Sequence, residues 1–196
     1  MLHVITGGSG SGKSAYAEAE AVRLSKAGNR NLKKYYIATM EPFGEETLRK
    51  IHRHREMRAG KGFKTVECYV DLAGKAAQLT GEMSGEGAVL ESKDGRNERK
   101  SVILLECMSN LVANELYRPD GAGKRTAERI LWGVKSLCEF CGNVVIVTNE
   151  VCSECTVDSV EMQEYKRVLS EINCSLARMA DAVTEVVYGI PVEVKR

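Results

Sequence analysis

A glycine-rich segment near the start of the chain has the composition of a phosphate-binding loop. Residues 7–14 read GGSGSGKS and match the pattern G-x-x-x-x-G-K-[ST] at every fixed position. In such loops the glycines let backbone N–H groups surround phosphate oxygens, and the following helix adds positive potential at its amino terminus. We expect Lys13 to reach the β- and γ-phosphates and Ser14 to ligate Mg²⁺. The predicted nucleotide contacts here are Gly7, Gly8, Ser9, Gly10, Ser11, Gly12, Lys13 and Ser14.

A magnesium ion at this loop needs a carboxylate from a neighbouring strand. Glu106 ends the apolar run SVILLE at 101–106, and Glu150 follows the run VVIVTN at 144–149. In a parallel sheet both would lie at the carboxyl edge, beside the phosphate loop. Glu106 is therefore the predicted metal partner of Ser14 and Glu150 is the other candidate. For either residue alone, a helix-cap or surface role remains open.

Two histidines lie in a basic run, RKIHRHR, at residues 49–55. His52 and His54 are two positions apart and so do not share a helix face, which disfavours metal chelation on a helix. Considered alone, the run fits a solvated basic helix face or a contact with nucleic-acid backbone. Spacing alone therefore gives these histidines no definite chemistry.

The chain has seven cysteines, four of them in the pairs CEFC at 138–141 and CSEC at 152–155. Such a pattern normally indicates zinc. Here an apolar strand separates the pairs, which places them roughly 20 Å or more apart at about 3.3 Å per residue. We therefore expect no shared zinc site, and we expect Cys107, Cys138, Cys141 and Cys174 to act as small buried hydrophobic residues.

Composition excludes several classes of protein. The 196 residues are 43% hydrophobic and 28% charged, with a net charge of +1, so no global field favours nucleic acid or an anionic membrane. No apolar run is long enough to cross a bilayer and no secretory signal is visible. We expect a cytoplasmic protein with free thiols.

Strand and helix patterns alternate along the chain, which predicts an α/β fold. We expect a P-loop NTPase-like, mostly parallel central sheet flanked by helices, with a short antiparallel element at the C-terminus. Residues 1–196 are predicted to form a single nucleotide-binding domain, with 81–100 as a mobile surface loop. The expected strands cover 2–6, 35–39, 63–67, 101–106, 143–148, 182–188 and 192–195. The expected helices cover 14–27, 45–57, 70–83, 110–117, 125–140 and 160–180.

The order of short motifs across nearly the whole chain resembles a known family. TGG-x-x-SGKS is followed by YIAT, I-x-x-HR and TVE, and later by LLEC, VTNEV and GIP. The phosphate loop is generic, whereas its combination with IHRHR at 51–55 and VTNEV at 147–151 is much more specific. This combination resembles the bifunctional adenosylcobinamide kinase/adenosylcobinamide-phosphate guanylyltransferase family of cobalamin synthesis.

The resemblance implies two reactions. The enzyme would transfer a γ-phosphoryl group from ATP or GTP to adenosylcobinamide. It would then attach GMP from GTP to adenosylcobinamide phosphate through a guanylylated histidine, releasing pyrophosphate. His54 takes the nucleophile position because Arg55 follows it directly. The resemblance also places Thr39, Arg55, Arg58, Glu67 and Glu106 in the nucleotide site, with Glu67 facing guanine. It implies a homo-oligomer, with a trimer as the family expectation.

The chain also departs from the family pattern. Gly10 stands where the family usually has arginine, and residues 152–170 differ from the usual sequence. Two alternatives therefore stay open. One is a simple P-loop kinase for a small molecule, in which His54 only binds phosphate. The other is a nucleotide-sensing regulatory protein without transfer chemistry.

Overall fold

The computed structural model describes residues 1–27, 31–85, 101–151 and 158–196, without the side chains of 82–85. The strands are β1 (Leu2–Thr6), β2 (Lys33–Ala38), β3 (Phe63–Glu67), β4 (Ser101–Glu106), β5 (Asn143–Val147), β6 (Ala182–Val187) and β7 (Ile190–Lys195). The helices are α1 (Lys13–Ser25), α2 (Gly44–Arg58), α3 (Leu72–Gly85), α4 (Met108–Tyr117), α5 (Thr126–Phe140) and α6 (Val160–Met179), with a 3₁₀ turn at Gly123–Arg125.

These strands form one sheet in the order β3-β2-β4-β5-β1-β6-β7. All neighbouring pairs are parallel except β6 and β7, which are antiparallel. The central strands are apolar along their whole length, and every residue of β4 is buried. This is the pattern expected when helices cover both faces of a parallel sheet. The predicted mostly parallel sheet with an antiparallel C-terminal element is confirmed.

The two faces of the sheet have separate cores. Side chains alternate across each strand, so Ile103 and Leu105 point to one face while Val102 and Leu104 point to the other. The first face packs against α3, α4, α5 and α6, and the second against the alanine and leucine side chains of α1. The polar helix α2 buries only Arg58. It therefore lies over the sheet edge rather than in either core.

The C-terminal hairpin turns earlier than predicted. Tyr188 and Gly189 have φ values of +50° and +81°, as in a two-residue type I′ turn. Ile190 and Pro191 therefore belong to β7 and not to the turn. Pro191 is tolerated because β7 is the edge strand of the sheet, where a missing N–H need not break a ladder.

Two further predictions were wrong. Residues 81–85 continue α3 rather than starting a loop, since a glycine inside a helix costs only about 1 kcal/mol; residues 86–100 lie outside the described part. Cys174 is exposed because Ile172 and Leu176 take the buried face of α6. Cys141 is buried as expected, and Cys107 and Cys138 are half-buried and pack against the cores. Cys152 and Cys155 lie outside the described residues.

Within the described ranges, no helix is both long and apolar enough to cross a membrane.

Candidate active site

The glycine-rich loop joins β1 to α1 and packs against the β6–β7 hairpin. Gly7 has φ +149°, and a Cβ there would lie 2.5 Å from the carbonyl oxygen of Val186. The loop is held from the same side by Gly189, whose N–H donates to the carbonyl of Ser11 at 2.8 Å. Glycine is therefore required at position 7 both by backbone conformation and by the close approach of β6.

Lys13 and Ser14 start α1 at the open side of this loop. The Lys13 ammonium donates to the carbonyl of Gly8 at 2.8 Å. Burial lowers the pKa of Lys13, and the nearby acidic groups of Cys107 and Glu106 act in the opposite direction. The Ser14 hydroxyl donates to Oε1 of Glu106. The predicted pairing of loop serine and strand-end carboxylate is therefore present, with oxygen donors of the type that Mg²⁺ prefers.

Glu106 is almost fully buried at the end of β4. Its second oxygen accepts from the Tyr36 hydroxyl at 3.3 Å, and burial raises the pKa of that tyrosine. The other carboxylate candidate, Glu150, is exposed, and its N–H lies 3.5 Å from the carbonyl of Gly7. Glu106 is thus the carboxylate that the structure brings into contact with Ser14.

Thr39 follows β2 and fixes the segment after Glu106. Its hydroxyl donates to the carbonyl of Cys107 at 2.8 Å and accepts from the N–H of the same residue at 2.7 Å. The Asn114 side chain donates to the Thr39 carbonyl at 2.9 Å. Thr39 is fully buried, so these bonds position the floor of the site.

Helix α2 brings one of the two histidines to the loop. Nδ1 of His54 lies 3.6 Å from Oε1 of Glu106, with the imidazole about a quarter exposed. His52 points away: its side chain is 75% exposed, with Nε2 3.3 Å from Glu56. The two-residue spacing therefore separates the histidines, as expected for a helix.

The arginines of α2 have different surroundings. Arg58 is buried, and its guanidinium lies 3.4 Å from the centre of the Tyr36 ring, a cation–π contact. Arg55 is exposed, with a guanidinium nitrogen 3.9 Å from Oε1 of Glu67 on β3. Both arginines line a cavity of about 450 Å³ between α2 and β3, together with Phe63 and Thr65. The predicted site residues of α2, β2, β3 and β4 thus lie along one edge of the sheet.

Comparisons with known proteins agree with this geometry. Residues 3–194 match the family model described as cobinamide kinase / cobinamide phosphate guanyltransferase, CobU. The chain belongs to this family. Two relatives, each named bifunctional adenosylcobalamin biosynthesis protein CobU, are 28% identical in Salmonella typhimurium and 30% identical in Escherichia coli. Both alignments cover the whole of both chains. The suspected family is confirmed, and the protein is an enzyme of the cobinamide kinase and guanyltransferase type.

Solved structures support the fold alone. A phosphate-loop ATPase domain of known structure superposes with a TM-score of 0.52 at 10% identity, covering 94% of this chain and 68% of that one. The P-loop NTPase-like fold class is confirmed.

Sequence reasoning missed three residues at this CobU-family site. Glu18 on α1 is fully buried, and its Oε2 accepts from Lys61 at 2.6 Å. Glu18 lies four positions after Ser14, so helical spacing could have identified it. Tyr36 and Lys61 gave no local signal, because each acts on a residue distant in sequence.

Proposed function

We propose that the protein phosphorylates adenosylcobinamide with ATP or GTP and then transfers GMP from GTP to adenosylcobinamide phosphate. The second reaction passes through a guanylyl-histidine at His54 and yields adenosylcobinamide-GDP and pyrophosphate. The observation that carries this proposal is the position of His54, 3.6 Å from a carboxylate that also contacts the phosphate-loop Ser14. A nucleophile is thereby placed beside a triphosphate-binding loop.

In the kinase step the hydroxyl oxygen of cobinamide attacks the γ-phosphorus, and a nucleoside diphosphate leaves. The hydroxyl proton is released as the new P–O bond forms. Lys13 and the loop N–H groups hold the β- and γ-phosphates. Ser14 and Glu106 would hold Mg²⁺, which when bound supplies charge neutralisation on the phosphates. The hydroxyl–carboxylate pair observed here fits such an ion.

In the guanylyl step Nε2 of His54 attacks the α-phosphorus of GTP. A P–N bond forms, the bond to the bridging oxygen breaks, and pyrophosphate leaves. A phosphate oxygen of cobinamide phosphate then attacks the same phosphorus and restores the free imidazole. Glu106 faces Nδ1, and a hydrogen bond from Nδ1–H to this carboxylate leaves the lone pair on Nε2. The distance of 3.6 Å needs to shorten by several tenths of an ångström on substrate binding.

Glu67, Arg55 and Arg58 form the proposed nucleotide contacts beyond the loop. The Glu67 carboxylate can accept from guanine N1–H and N2–H₂, a pairing that favours guanine over adenine. Arg55 and Arg58 line the neighbouring cavity and supply positive charge for phosphate oxygens. Thr39 contributes through the backbone of Cys107, which it holds in place.

The test is covalent labelling with Mg²⁺ and GTP labelled at the α-phosphorus. We expect label on denatured protein that survives alkali and is lost in acid, as a P–N bond requires. His54→Ala should abolish the label. His52→Ala is the matched control, since its exposed side chain lies outside the site, and should retain it. Absence of label on protein that demonstrably binds GTP would favour the simple kinase or the nucleotide sensor.

A homo-oligomer, with a trimer expected, and a cytoplasmic location remain predictions. Sedimentation velocity and fractionation of the native host would test them.

A further inference from the structure

Three potential metal ligands from distant parts of the chain meet beside the phosphate loop. They are Glu18 on α1, His54 on α2 and Glu106 at the end of β4, and one ligand atom from each lies within 4.8 Å of the others. Glu18 is fully buried and Glu106 is 7% exposed. Two carboxylates held this close in a buried region repel one another unless a positive charge lies near them.

Two atoms of this cluster are buried without a hydrogen-bond partner among the described residues. They are Oε1 of Glu18 and Nδ1 of His54. A buried acceptor left unpaired costs about 1–3 kcal/mol, so such atoms normally bind something. That two of them occur in one cluster of ligand-type side chains points to a bound species at this place.

The groups around the two carboxylates resemble an outer coordination shell. The Lys61 ammonium donates to Oε2 of Glu18 at 2.6 Å, which leaves Oε1 free. Ser14 and Tyr36 donate to the two oxygens of Glu106. Ligating carboxylates are commonly held by such donors, which fix their orientation toward the metal.

We propose that Glu18, His54 and Glu106 bind one divalent transition-metal ion, of the Mn²⁺, Co²⁺ or Zn²⁺ class. A donor set of one imidazole and two carboxylates suits these ions better than Mg²⁺, which prefers oxygen ligands and retains its waters. Nδ1 of His54 is the expected nitrogen ligand because it is the buried, unpartnered one. This site differs from the nucleotide Mg²⁺ site, which uses Ser14 and Glu106 with phosphate oxygens.

The cluster must contract to bind such an ion. Donor atoms about 2.1 Å from a tetrahedral ion lie about 3.4 Å apart, so the separations here must shorten by up to about 1.4 Å. His54 can supply most of this movement, because Arg58 is the only buried residue of its helix. Nδ1 and Oε1 of Glu106 already lie 3.6 Å apart.

A consequence for catalysis rests on the proposed function. A neutral imidazole carries one in-plane lone pair and one N–H. If Nδ1 ligates the ion, the proton stays on Nε2, and Nε2 has no lone pair with which to attack phosphorus. The metal-bound enzyme is therefore unable to form the guanylyl-histidine, and Mn²⁺ in excess should inhibit labelling that Mg²⁺ supports.

Binding is measured on metal-free full-length protein without nucleotide. Mn²⁺ is titrated while electron paramagnetic resonance reports the free aquo ion, since Mn²⁺ has little affinity for the chain's thiols. We expect one strong site per chain. Glu18→Gln and His54→Ala should each weaken it at least about tenfold, whereas the control His52→Ala should leave it unchanged. Co²⁺ should show ligand-field bands without sulfur-to-cobalt charge transfer.

The proposal is overturned if no Mn²⁺ binds, if neither variant changes binding, or if the Co²⁺ spectrum shows thiolate ligation. Should Glu18→Gln fail to fold, His54→Ala decides the matter, because its side chain lies on a polar helix. The two proposals fail separately. Label on His54 with no metal binding removes the metal site alone, and metal binding with no label removes the guanylyl mechanism alone.

Discussion

The structure predicts that a single methyl group at Gly7 destabilises the protein. The Cβ of Gly7→Ala would lie 2.5 Å from the backbone carbonyl oxygen of Val186 and 2.7 Å from Oγ of Ser11. Val186 is 1% exposed within β6, which is paired on both sides, so its carbonyl cannot move without disturbing the sheet. The φ of +149° adds backbone strain for any residue with a side chain.

These two contributions give the expected magnitude. Backbone strain costs about 1–3 kcal/mol and overpacking about 1–3 kcal/mol, so the free energy of unfolding should fall by about 2–6 kcal/mol. For a chain of this size each kcal/mol corresponds to about 2–4 °C in Tm, which gives a decrease of about 4–24 °C. Thermal and urea unfolding followed by circular dichroism measure both quantities.

Gly8→Ala is the matched control within the same loop. A Cβ at Gly8 has no heavy atom within 4 Å, and its φ is outside the left-handed region. We expect a change within about 0.5 kcal/mol. If Gly7→Ala is as stable as Gly8→Ala, the loop moves away from β6 at little cost, and the close approach of the hairpin is not what requires glycine at this position.

Three further predictions concern stability. Thr39→Val removes both hydrogen bonds to the Cys107 backbone and should lower the free energy of unfolding by about 1–3 kcal/mol in urea titrations, whereas an unchanged midpoint would show that water replaces the hydroxyl. Gly133→Ala places a Cβ 2.8 Å from the first side chain of α3 and should cost about 1–3 kcal/mol by the same measurement; a neutral result would mean that α3 and α5 separate freely. The hydrogen bond from Arg23 lowers the pKa of Glu20 below 4.5, so this carboxylate stabilises the fold above that pH and loses its effect as pH falls through the lowered value. The Tm difference between wild type and Glu20→Gln should therefore shrink on acidification from pH 6 to 3, and a constant difference would contradict this.

Local sequence signals predicted the sheet well, because each central strand carries its own evidence. The runs 101–106 and 143–147 are apolar on both faces, which in a chain of alternating helices can only be buried parallel strands. The loop pattern at 7–14 likewise has its strand before it and its helix after it. What failed were element ends: α3 continues past Gly81, and β7 begins before Pro191. Propensity differences of about 1 kcal/mol decide such boundaries, and packing overrides them.

The site was only partly predictable, for a different reason. Ser14 and Glu106 followed from the rule that strand ends meet at one edge of a parallel sheet. His54 did not: spacing in the basic run fitted several roles, and only the family resemblance selected it. Lys61 acts on Glu18 from 43 residues away, across the strap formed by α2 and β3. Contacts of this length depend on the whole fold and leave no periodic trace in the sequence.

Glu106 connects the two proposed reactions and also limits them. Its carboxylate accepts from Ser14 and Tyr36 and faces Nδ1 of His54, so the same group would hold Mg²⁺ for phosphoryl transfer and orient the nucleophile for guanylyl transfer. Glu18 lies within reach of the same imidazole and has one oxygen unpartnered. An ion, a proton or a repositioned α2 must therefore determine which nitrogen of His54 is free. Since α2 buries only Arg58, the energy that separates these arrangements is small, and the occupant of the cluster decides between them.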